Sequence, residues 1–185
     1  MTPDLDRDGF VVVSGVAPET LTALADAYDC AVRVASAPAL SIGSTTTRVG
    51  GLDRQSAFAG LARCEPILQA ARRTIGGGFR LRTLLARTLH PHMRVQDLHV
   101  DFARDEAGFP MVGFILMIDE FREENGATRF VPGSHRASNG VETVAACGPA
   151  GSLIIYNGSV LHGHGANMTD RARRSIQGAY VRKDA

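Results

Sequence analysis

The sequence predicts a mainly β protein with flanking helices, built around an antiparallel sandwich or barrel of jelly-roll type. After residue 79 the chain alternates short extended segments with turn signals such as Asn125-Gly126, Pro132-Gly133-Ser134 and Asn157-Gly158. Before residue 79 the apolar residues recur at helical spacing. No internal repeat or low-complexity tract interrupts this pattern, so we expect a single domain over residues 1–185.

The part of the chain before residue 79 is expected to be mostly helical after one opening strand. Residues 8–13 predict that strand, and residues 18–35 predict an amphipathic helix that begins at a proline. Residues 37–52 are rich in Ser, Thr and Gly and predict a long loop, which is the best candidate for a substrate lid. A second helical stretch covers about residues 54–73 and ends before the glycines at 76–78.

Seven later segments have the length and residue types of β-strands. They are residues 79–88, 95–102, 111–121, 128–131, 152–156, 159–162 and 174–181. The longest apolar run, from Pro110 to Ile118, has the length of a strand and is too short to cross a bilayer.

Composition argues against several classes of protein. A net charge of +1 gives no electrostatic attraction to nucleic acid or to an anionic membrane. The opening residues lack the pattern of a secretory signal, and three widely spaced cysteines do not suggest a disulfide framework. Lys183 is the single lysine, so a buried lysine for Schiff-base chemistry is not available. We therefore expect a cytoplasmic protein, a monomer or weak homodimer, that binds a small molecule and neither nucleic acid nor membrane.

The strongest chemical signal is His99-Val100-Asp101, with His162 downstream. Residues i and i+2 of a strand point to the same face, so His99 and Asp101 can offer a nitrogen and an oxygen to one metal. His162 can complete the set from another strand, and two His plus one carboxylate are typical of non-haem Fe(II) oxygenases. A His-x-Asp triplet alone would occur by chance in roughly a third of such sequences, so the order of the surrounding elements matters.

Several blocks of the chain resemble the phytanoyl-CoA dioxygenase family. They are residues 8–12 (DGFVV), 96–101 (QDLHVD), 125–135 (NGATRFVPGSH), 162–167 (HGHGAN) and 171–174 (RARR). The resemblance covers nearly the whole chain in order. It implies a double-stranded β-helix, the jelly-roll or cupin-like fold, together with Fe(II), 2-oxoglutarate as cosubstrate and dioxygen.

By position, the resemblance implies that His99, Asp101 and His162 are the metal ligands and that Arg173 holds the distal carboxylate of 2-oxoglutarate. A guanidinium suits that role because its planar fork binds a carboxylate in two places and stays charged. Ser175 shares a strand face with Arg173 and can reach inward beside it.

Two further residues have open roles in this interpretation. Gln96 could face 2-oxoglutarate or the substrate, or could make an ordinary hydrogen bond within a strand. Thr128 could line the cosubstrate pocket or could be an ordinary strand threonine.

The implied reaction is hydroxylation of an unactivated C–H bond of a small-molecule metabolite, with release of succinate and CO2. Related halogenases have Ala or Gly in place of the carboxylate, so the presence of Asp101 favours a hydroxylase over a halogenase. One alternative is a non-catalytic jelly-roll protein that binds a small molecule or a partner chain. Another is a zinc hydrolase, which would leave Arg173 unexplained.

The remaining polar residues are less specific. His164 lies two residues after His162 and could compete for the metal or contact substrate, whereas His135 is expected to be structural. Arg171 and Arg174 are expected to be a solvated pair. Five arginines could engage an acidic substrate, although surface charge explains most of them equally well: Arg48, Arg82, Arg87, Arg94 and Arg104.

Overall fold

The computed structural model describes residues 3–136 and 141–184, and these form two antiparallel sheets with helices packed on one side. The helices are α1 (Leu5–Asp8), α2 (Pro18–Val34), α3 (Ala59–Ala62) and α4 (Glu65–Ile75), with 3-10 turns at Leu52–Arg54 and Ser56–Phe58. The strands are β1 (Phe10–Ser14), β2 (Leu40–Ile42), β3 (Thr46–Val49), β4 (Phe79–Leu89), β5 (Met111–Met117), β6 (Thr128–Phe130), β7 (Val144–Ala145), β8 (Ser152–Asn157), β9 (His162–His164) and β10 (Arg173–Arg182).

The major sheet has the strand order β1-β8-β5-β10-β4-β3-β2, and the minor sheet has the order β7-β6-β9. All of their strand pairs are antiparallel. The predicted fold class, mainly β with flanking helices in a jelly roll, is confirmed. None of the helices in the described part of the chain is long and apolar enough to cross a membrane.

Strand β5 shows how the sequence divides the core between the two faces of the major sheet. All seven of its residues are buried. Because side chains alternate along a strand, Val112, Phe114 and Leu116 pack in the cluster formed with the helices. Ile115 and Met117 point the other way, into a second cluster between the two sheets. A strand buried on both faces explains the continuous apolar run in the sequence.

Two predicted elements differ from the structure near the substrate side. Residues 37–52 are not a long loop, because they contain β2 and β3, which extend the major sheet beyond β4. A run of β-branched threonines at 45–47 fits this strand pairing. The lid predicted there is therefore wrong for most of its length.

The predicted strand at 95–102 is also wrong, because only His99 makes a ladder bridge there, to His162. The amide of Gln96 donates to the carbonyl of His164, and the amide of His99 donates to that of His162. Between these two hydrogen bonds the chain advances by three residues from Gln96 to His99 but by only two from His162 to His164. Regular strand pairing is therefore broken. Strand β9 begins at His162, where the sequence had predicted a strand ending.

The helical predictions are confirmed for α2 and need correction for the second stretch. Residues 54–73 divide into a 3-10 turn, α3 and α4. Pro66 is tolerated in the first turn of α4, which begins at Glu65, but a longer helix could not continue from α3 through Pro66. Helix α4 ends where Gly76 adopts a positive φ of 74°. The short helix α1 was not predicted, although Asp4 caps it by accepting from the amides of Asp6 and Arg7.

Arg174 is not part of a solvated pair, which corrects the sequence interpretation. Its guanidinium binds Asp119 at 2.8 Å, after the end of β5, and Asp29 at 2.8 Å on α2. Its own amide also donates to Asp119, at 2.7 Å. Arg174 therefore ties β10 to a helix and to the end of the neighbouring strand, whereas Arg171 is exposed.

We expect Arg174→Met to lower the free energy of unfolding by about 1–2 kcal/mol, because two charged hydrogen-bonding partners are lost from a site that is partly open to solvent. The matched control is Arg171→Met, which should change stability by less than about 0.5 kcal/mol. Urea unfolding measures both values. Equal stability of the two variants would show that the Arg174 network contributes nothing to the fold.

Candidate metal centre

The structure brings His99, Asp101 and His162 together, so that one ligand atom from each lies within 4.8 Å of the other two. The Nε2 atoms of His99 and His162 each lie 3.6 Å from an oxygen of Asp101, one from Oδ1 and the other from Oδ2. Within residues 3–136 and 141–184 this is the one group of three or more His, Cys, Asp or Glu side chains that could hold a metal ion. The grouping inferred from the sequence therefore exists in space.

Hydrogen bonds fix the orientation of both imidazoles. Nδ1 of His99 lies 3.1 Å from the carbonyl of Asp97, and Nδ1 of His162 lies 2.9 Å from the carbonyl of Val160. A carbonyl can only accept, so both Nδ1 atoms carry a proton when the rings are neutral. Each Nε2 is then unprotonated and faces Asp101. In metal sites a carbonyl that holds one ring nitrogen in this way leaves the other nitrogen free to bind the metal.

A glycine allows the irregular segment around His99 to lie against β9. A Cβ atom on Gly163 would come within 3.0 Å of the Gln96 carbonyl oxygen and 3.1 Å of the Asp97 carbonyl oxygen. A larger residue between the two histidines of β9 would push this segment away. The position of His99 relative to His162 thus depends on the small residue at 163.

Asp101 is an ionised carboxylate in this setting. Burial alone would raise its pKa, but the adjacent imidazoles of His99 and His162 and the hydroxyl of Tyr156 lower the pKa to about 2. The Tyr156 hydroxyl donates to Oδ2 over 2.6 Å. Burial and the adjacent carboxylate raise the pKa of Tyr156 well above its usual value, so it remains a donor.

The histidines differ in their electrostatics. Burial lowers the pKa of His162, whereas the adjacent carboxylate of Asp101 raises the pKa of His99. Burial also lowers the pKa of His164 to about 4, so this ring is neutral near pH 7. His164 is not in the group of three that could hold a metal, although it points to the same side of β9. Its Nδ1 bonds to the Gly165 carbonyl, and its Nε2 has no partner.

A cavity of about 250 Å³ opens beside the three residues. Gln96 and Thr128 line it with the triad, which is one of the positions that the sequence interpretation left open for each of them. Gln96 accepts hydrogen bonds from the Arg87 guanidinium and from the amide of His164, so it connects a cavity wall to β9. Thr128 lies buried on β6, directly across from His164.

Arg173 and Ser175 are buried on β10 but do not line this cavity. Nε of Arg173 donates to the Asn125 carbonyl at 3.2 Å, and its guanidinium lies 3.7 Å from the centre of the Phe121 ring. Ser175 Oγ donates to the Arg87 carbonyl at 3.3 Å. Both share a strand face with Gln177, which does line the cavity.

Burial, and secondarily the charge of Arg87, lower the pKa of Arg173 to about 9, so it still carries a positive charge at neutral pH. Among the buried nitrogens of the described chain that lack a hydrogen-bond partner are Nη1 of Arg173, Nε of Arg87 and Nε2 of His164. Buried polar atoms in native proteins are nearly always satisfied. The two guanidinium nitrogens fit a ligand that brings acceptor oxygens, whereas Nε2 of His164 can only accept, because its Nδ1 donates to a carbonyl. The two imidazoles with one carboxylate fit an Fe(II) ion.

The sequence interpretation missed two residues of the site. Tyr156 holds Asp101, and its ring packs closely over Gly113, where a Cβ would lie 2.2 Å from the ring. Arg87 was considered alongside surface arginines, but it faces the cavity with its Nε buried. The alternation of polar and apolar residues along 79–89 carries a weak signal for Arg87, and no sequence signal marks Tyr156. Arg94 and Arg104 do not line the cavity.

The other histidines lie outside the cavity. Nε2 of His135 is 3.1 Å from the Asp6 carbonyl, and Nε2 of His90 is 2.9 Å from Thr47 Oγ1. His92 is exposed and pairs with Asp170 at 2.9 Å. These contacts are local packing and surface interactions.

Comparisons with known proteins agree with this geometry. The dioxygenase olcK of Penicillium canescens is 31% identical over 160 residues, which cover 74% of this chain and 52% of that protein. The dioxygenase aneA of Aspergillus aculeatus is 30% identical over 61% of this chain and 42% of that protein. The chain thus spans about half the length of the curated relatives it matches.

Solved structures share the fold at lower identity. The non-heme alpha ketoglutarate dependent epimerase SnoN from nogalamycin biosynthesis superposes with a TM-score of 0.82 at 22% identity, over 96% of this chain and 79% of that one. HygX from Streptomyces hygroscopicus, solved with nickel and 2-oxoglutarate, superposes with a TM-score of 0.79 at 16% identity, over 97% of this chain and 85% of that one. The family model described as phytanoyl-CoA dioxygenase matches residues 5–175. The chain belongs to the phytanoyl-CoA dioxygenase family.

Proposed function

We propose that the chain is an Fe(II)- and 2-oxoglutarate-dependent dioxygenase that hydroxylates an unactivated C–H bond of a small molecule, with release of succinate and CO2. The observation that carries this proposal is the meeting of His99, Asp101 and His162 beside a cavity whose surroundings hold unpartnered buried nitrogens. The relatives named as dioxygenases support it, as do fold neighbours solved with iron or nickel and the cosubstrate.

In this proposal His99, Asp101 and His162 hold the iron through Nε2, a carboxylate oxygen and Nε2. Iron with 2-oxoglutarate and dioxygen supplies the oxidising power, as is general for this chemistry. The protein's part is to keep both imidazoles oriented, through the carbonyls that hold their Nδ1 atoms. It also holds the carboxylate ionised through Tyr156 and shields the cavity with the apolar residues between the sheets.

The arginines supply the complement to the cosubstrate, which is a dianion. Arg173 provides a buried positive charge with a free Nη1 for the distal carboxylate, and Ser175 lies beside it. Arg87 is the second buried positive charge, on the wall that Gln96 also touches. Thr128 and His164 are partners on adjacent strands of the minor sheet, and both line the cavity.

The choice of reaction follows from Asp101. A carboxylate at this position occupies the coordination site that a halide would need, so we propose hydroxylation and not halogenation. Epimerisation, the activity named for SnoN, is the competing reaction of the same class. Product analysis separates the two, because hydroxylation adds one oxygen atom to the substrate and epimerisation leaves its mass unchanged.

A single domain over residues 1–185, a cytoplasmic location and a monomer or weak homodimer stay predictions from the sequence. The non-catalytic jelly-roll protein and the zinc hydrolase remain the rivals from other classes. Both require that no succinate forms from 2-oxoglutarate under any condition. The three experiments below test the proposal against them.

Anaerobic addition of Fe(II) and 2-oxoglutarate should produce a visible metal-to-ligand charge-transfer band. We expect His99→Ala or Asp101→Ala to weaken Fe(II) binding by roughly 100-fold or more, since loss of outer-shell partners alone costs about 10–100-fold. His92→Ala is the control, because it removes an exposed histidine outside the cavity. The absence of a band in the unmodified protein would contradict the proposed cofactor.

Arg173→Gln should raise the 2-oxoglutarate concentration for half-maximal band intensity by roughly 10–100-fold, because one charged partner of a carboxylate is lost. Its effect on Fe(II) binding alone should be small. Arg171→Gln removes a neighbouring exposed arginine and serves as the matched control. An unchanged half-saturation in Arg173→Gln would exclude the assigned role.

Tyr156→Phe should weaken Fe(II) binding by about 10–100-fold while the fold is retained, because only the hydroxyl that positions Asp101 is removed. Tyr28→Phe is matched to it, since it also deletes a buried hydroxyl, one that bonds to Thr88. Fe(II) titration with thermal unfolding as a stability check measures both variants. If the two variants bound Fe(II) equally, Tyr156 would not be a positioning residue.

A further inference from the structure

Three arginines share one wall of the cavity. Arg48 on β3 lies directly opposite Arg87 on β4 in the strand register, and both line the cavity. Arg82, further along β4, lines it as well. Like charges placed directly across two strands repel each other and destabilise the pairing. This repulsion disfavours the pairing of β3 with β4 unless a negative charge offsets it.

The described protein provides no carboxylate to compensate these charges. None of the three guanidiniums forms an ion pair among residues 3–136 and 141–184. Arg87 donates instead to the neutral amides of Gln96 and Gln177, at 3.2 and 3.5 Å. The one acidic residue on the cavity wall is Asp101, which belongs to the metal centre.

The proposed cofactors do not balance the wall either. A dianionic 2-oxoglutarate and Asp101 supply three negative charges, whereas a divalent metal, Arg173 and the three arginines of the wall supply six positive charges, so positive charge stays in excess even where Arg87 also faces the cosubstrate. Burial and the charge of Arg48 lower the pKa of Arg87 to about 10, so it is still charged at neutral pH. The positive charge therefore continues outward from the metal centre along β3 and β4.

The two outer arginines differ from Arg87 in position. Arg48 and Arg82 are exposed, whereas Arg87 is half-buried with its Nε enclosed. The carbon atom at the centre of the Arg82 guanidinium lies 5.7 Å from the centre of the Phe102 ring, which also lines the cavity. Arg48 and Arg82 thus stand at the solvent side of the cavity, and Arg87 is the arginine of the wall whose charge acts on His99 and His162.

We infer that the substrate carries an anionic group, a carboxylate or a phosphate, and that Arg48 and Arg82 bind it at the outer end of the cavity. This inference rests on the proposed function, since it names the class of substrate for that same site. A guanidinium fork binds either oxyanion in two places, and an anion beside Arg48 removes its repulsion with Arg87. The charge of this group then orients the remainder of the substrate toward the metal.

The binding test uses inorganic phosphate as the probe. Phosphate is titrated calorimetrically into the full chain holding Fe(II) and saturating 2-oxoglutarate under anaerobic conditions, at constant ionic strength set with chloride. We expect binding to the unmodified protein and roughly 10-fold or greater weakening in Arg48→Gln. Arg54→Gln, which removes an exposed arginine that does not line the cavity, should bind like the unmodified protein. Failure of the unmodified protein to bind phosphate, or equal binding by Arg48→Gln, would overturn the inference.

A second arm separates the substrate position from the cosubstrate position. If phosphate occupied the 2-oxoglutarate site, it would raise the 2-oxoglutarate concentration needed for the charge-transfer band, and the assignment to substrate would be wrong. We expect that concentration to be unchanged by phosphate and by Arg48→Gln. Absence of the band in the unmodified protein would instead reject the proposed function, so the two failures are distinguishable.

Thermal unfolding without added oxyanion distinguishes binding from a structural role. Arg48→Gln should unfold at the same temperature as the unmodified protein or a higher one, because it removes a repulsive pair. Phosphate should raise the unfolding temperature of the unmodified protein more than that of Arg48→Gln. A lower unfolding temperature for Arg48→Gln without oxyanion would show that Arg48 stabilises the sheet, and would overturn its assignment to ligand binding.

Discussion

The arrangement of the site depends on one charge that is partly withdrawn from water, the carboxylate of Asp101. Withdrawing an ion from water is unfavourable even when the withdrawal is partial, so the surroundings must offset that cost. Here the Tyr156 hydroxyl donates to one oxygen, and two imidazoles stand 3.6 Å from the carboxylate. Tyr156 reaches Asp101 because Gly113 on the adjacent strand leaves room for its ring. Asp101 in turn requires the irregular segment to lie against β9, which Gly163 permits.

The positive charges of the site are also withdrawn from water, and they also need partners that offset the cost. Arg173 is buried against Phe121 and a backbone carbonyl, and Arg87 is bonded to neutral amides. Neither has a carboxylate partner in the described structure. The neutral ring of His164 lies in the field of both guanidiniums, which contribute to its low pKa after burial. Burying such cations costs free energy unless an anion pairs with them. This is the physical reason to expect anionic ligands here.

The sequence predicted much of the fold and the grouping of the triad, but not the backbone that achieves it. The apolar run at 111–117 predicted a strand, which is buried along its whole length. The turn residues predicted where the neighbouring strands begin and end. His99 and Asp101 were grouped by assuming a strand, whereas the chain there makes one bridge and bonds irregularly to β9. Whether Arg87 faces a cavity, or Arg174 meets Asp29 across 145 positions, depends on long-range pairing that local pattern does not encode.

The metal centre and the arginine wall come from different parts of the fold. His162 lies on the minor sheet and His99 bridges to it, whereas Arg48, Arg82 and Arg87 lie on β3 and β4 toward one edge of the major sheet. Side chains on β3 and β4 can therefore change without altering the hydrogen bonds that orient the two imidazoles. In the proposed function, β3 and β4 supply the charges that bind the substrate, and they connect to the minor sheet through Arg87 and Gln96 as well as through the cavity. The residues opposite each other on β3 and β4 are consequently where a change of substrate class would be accommodated, because they line the cavity without holding the metal.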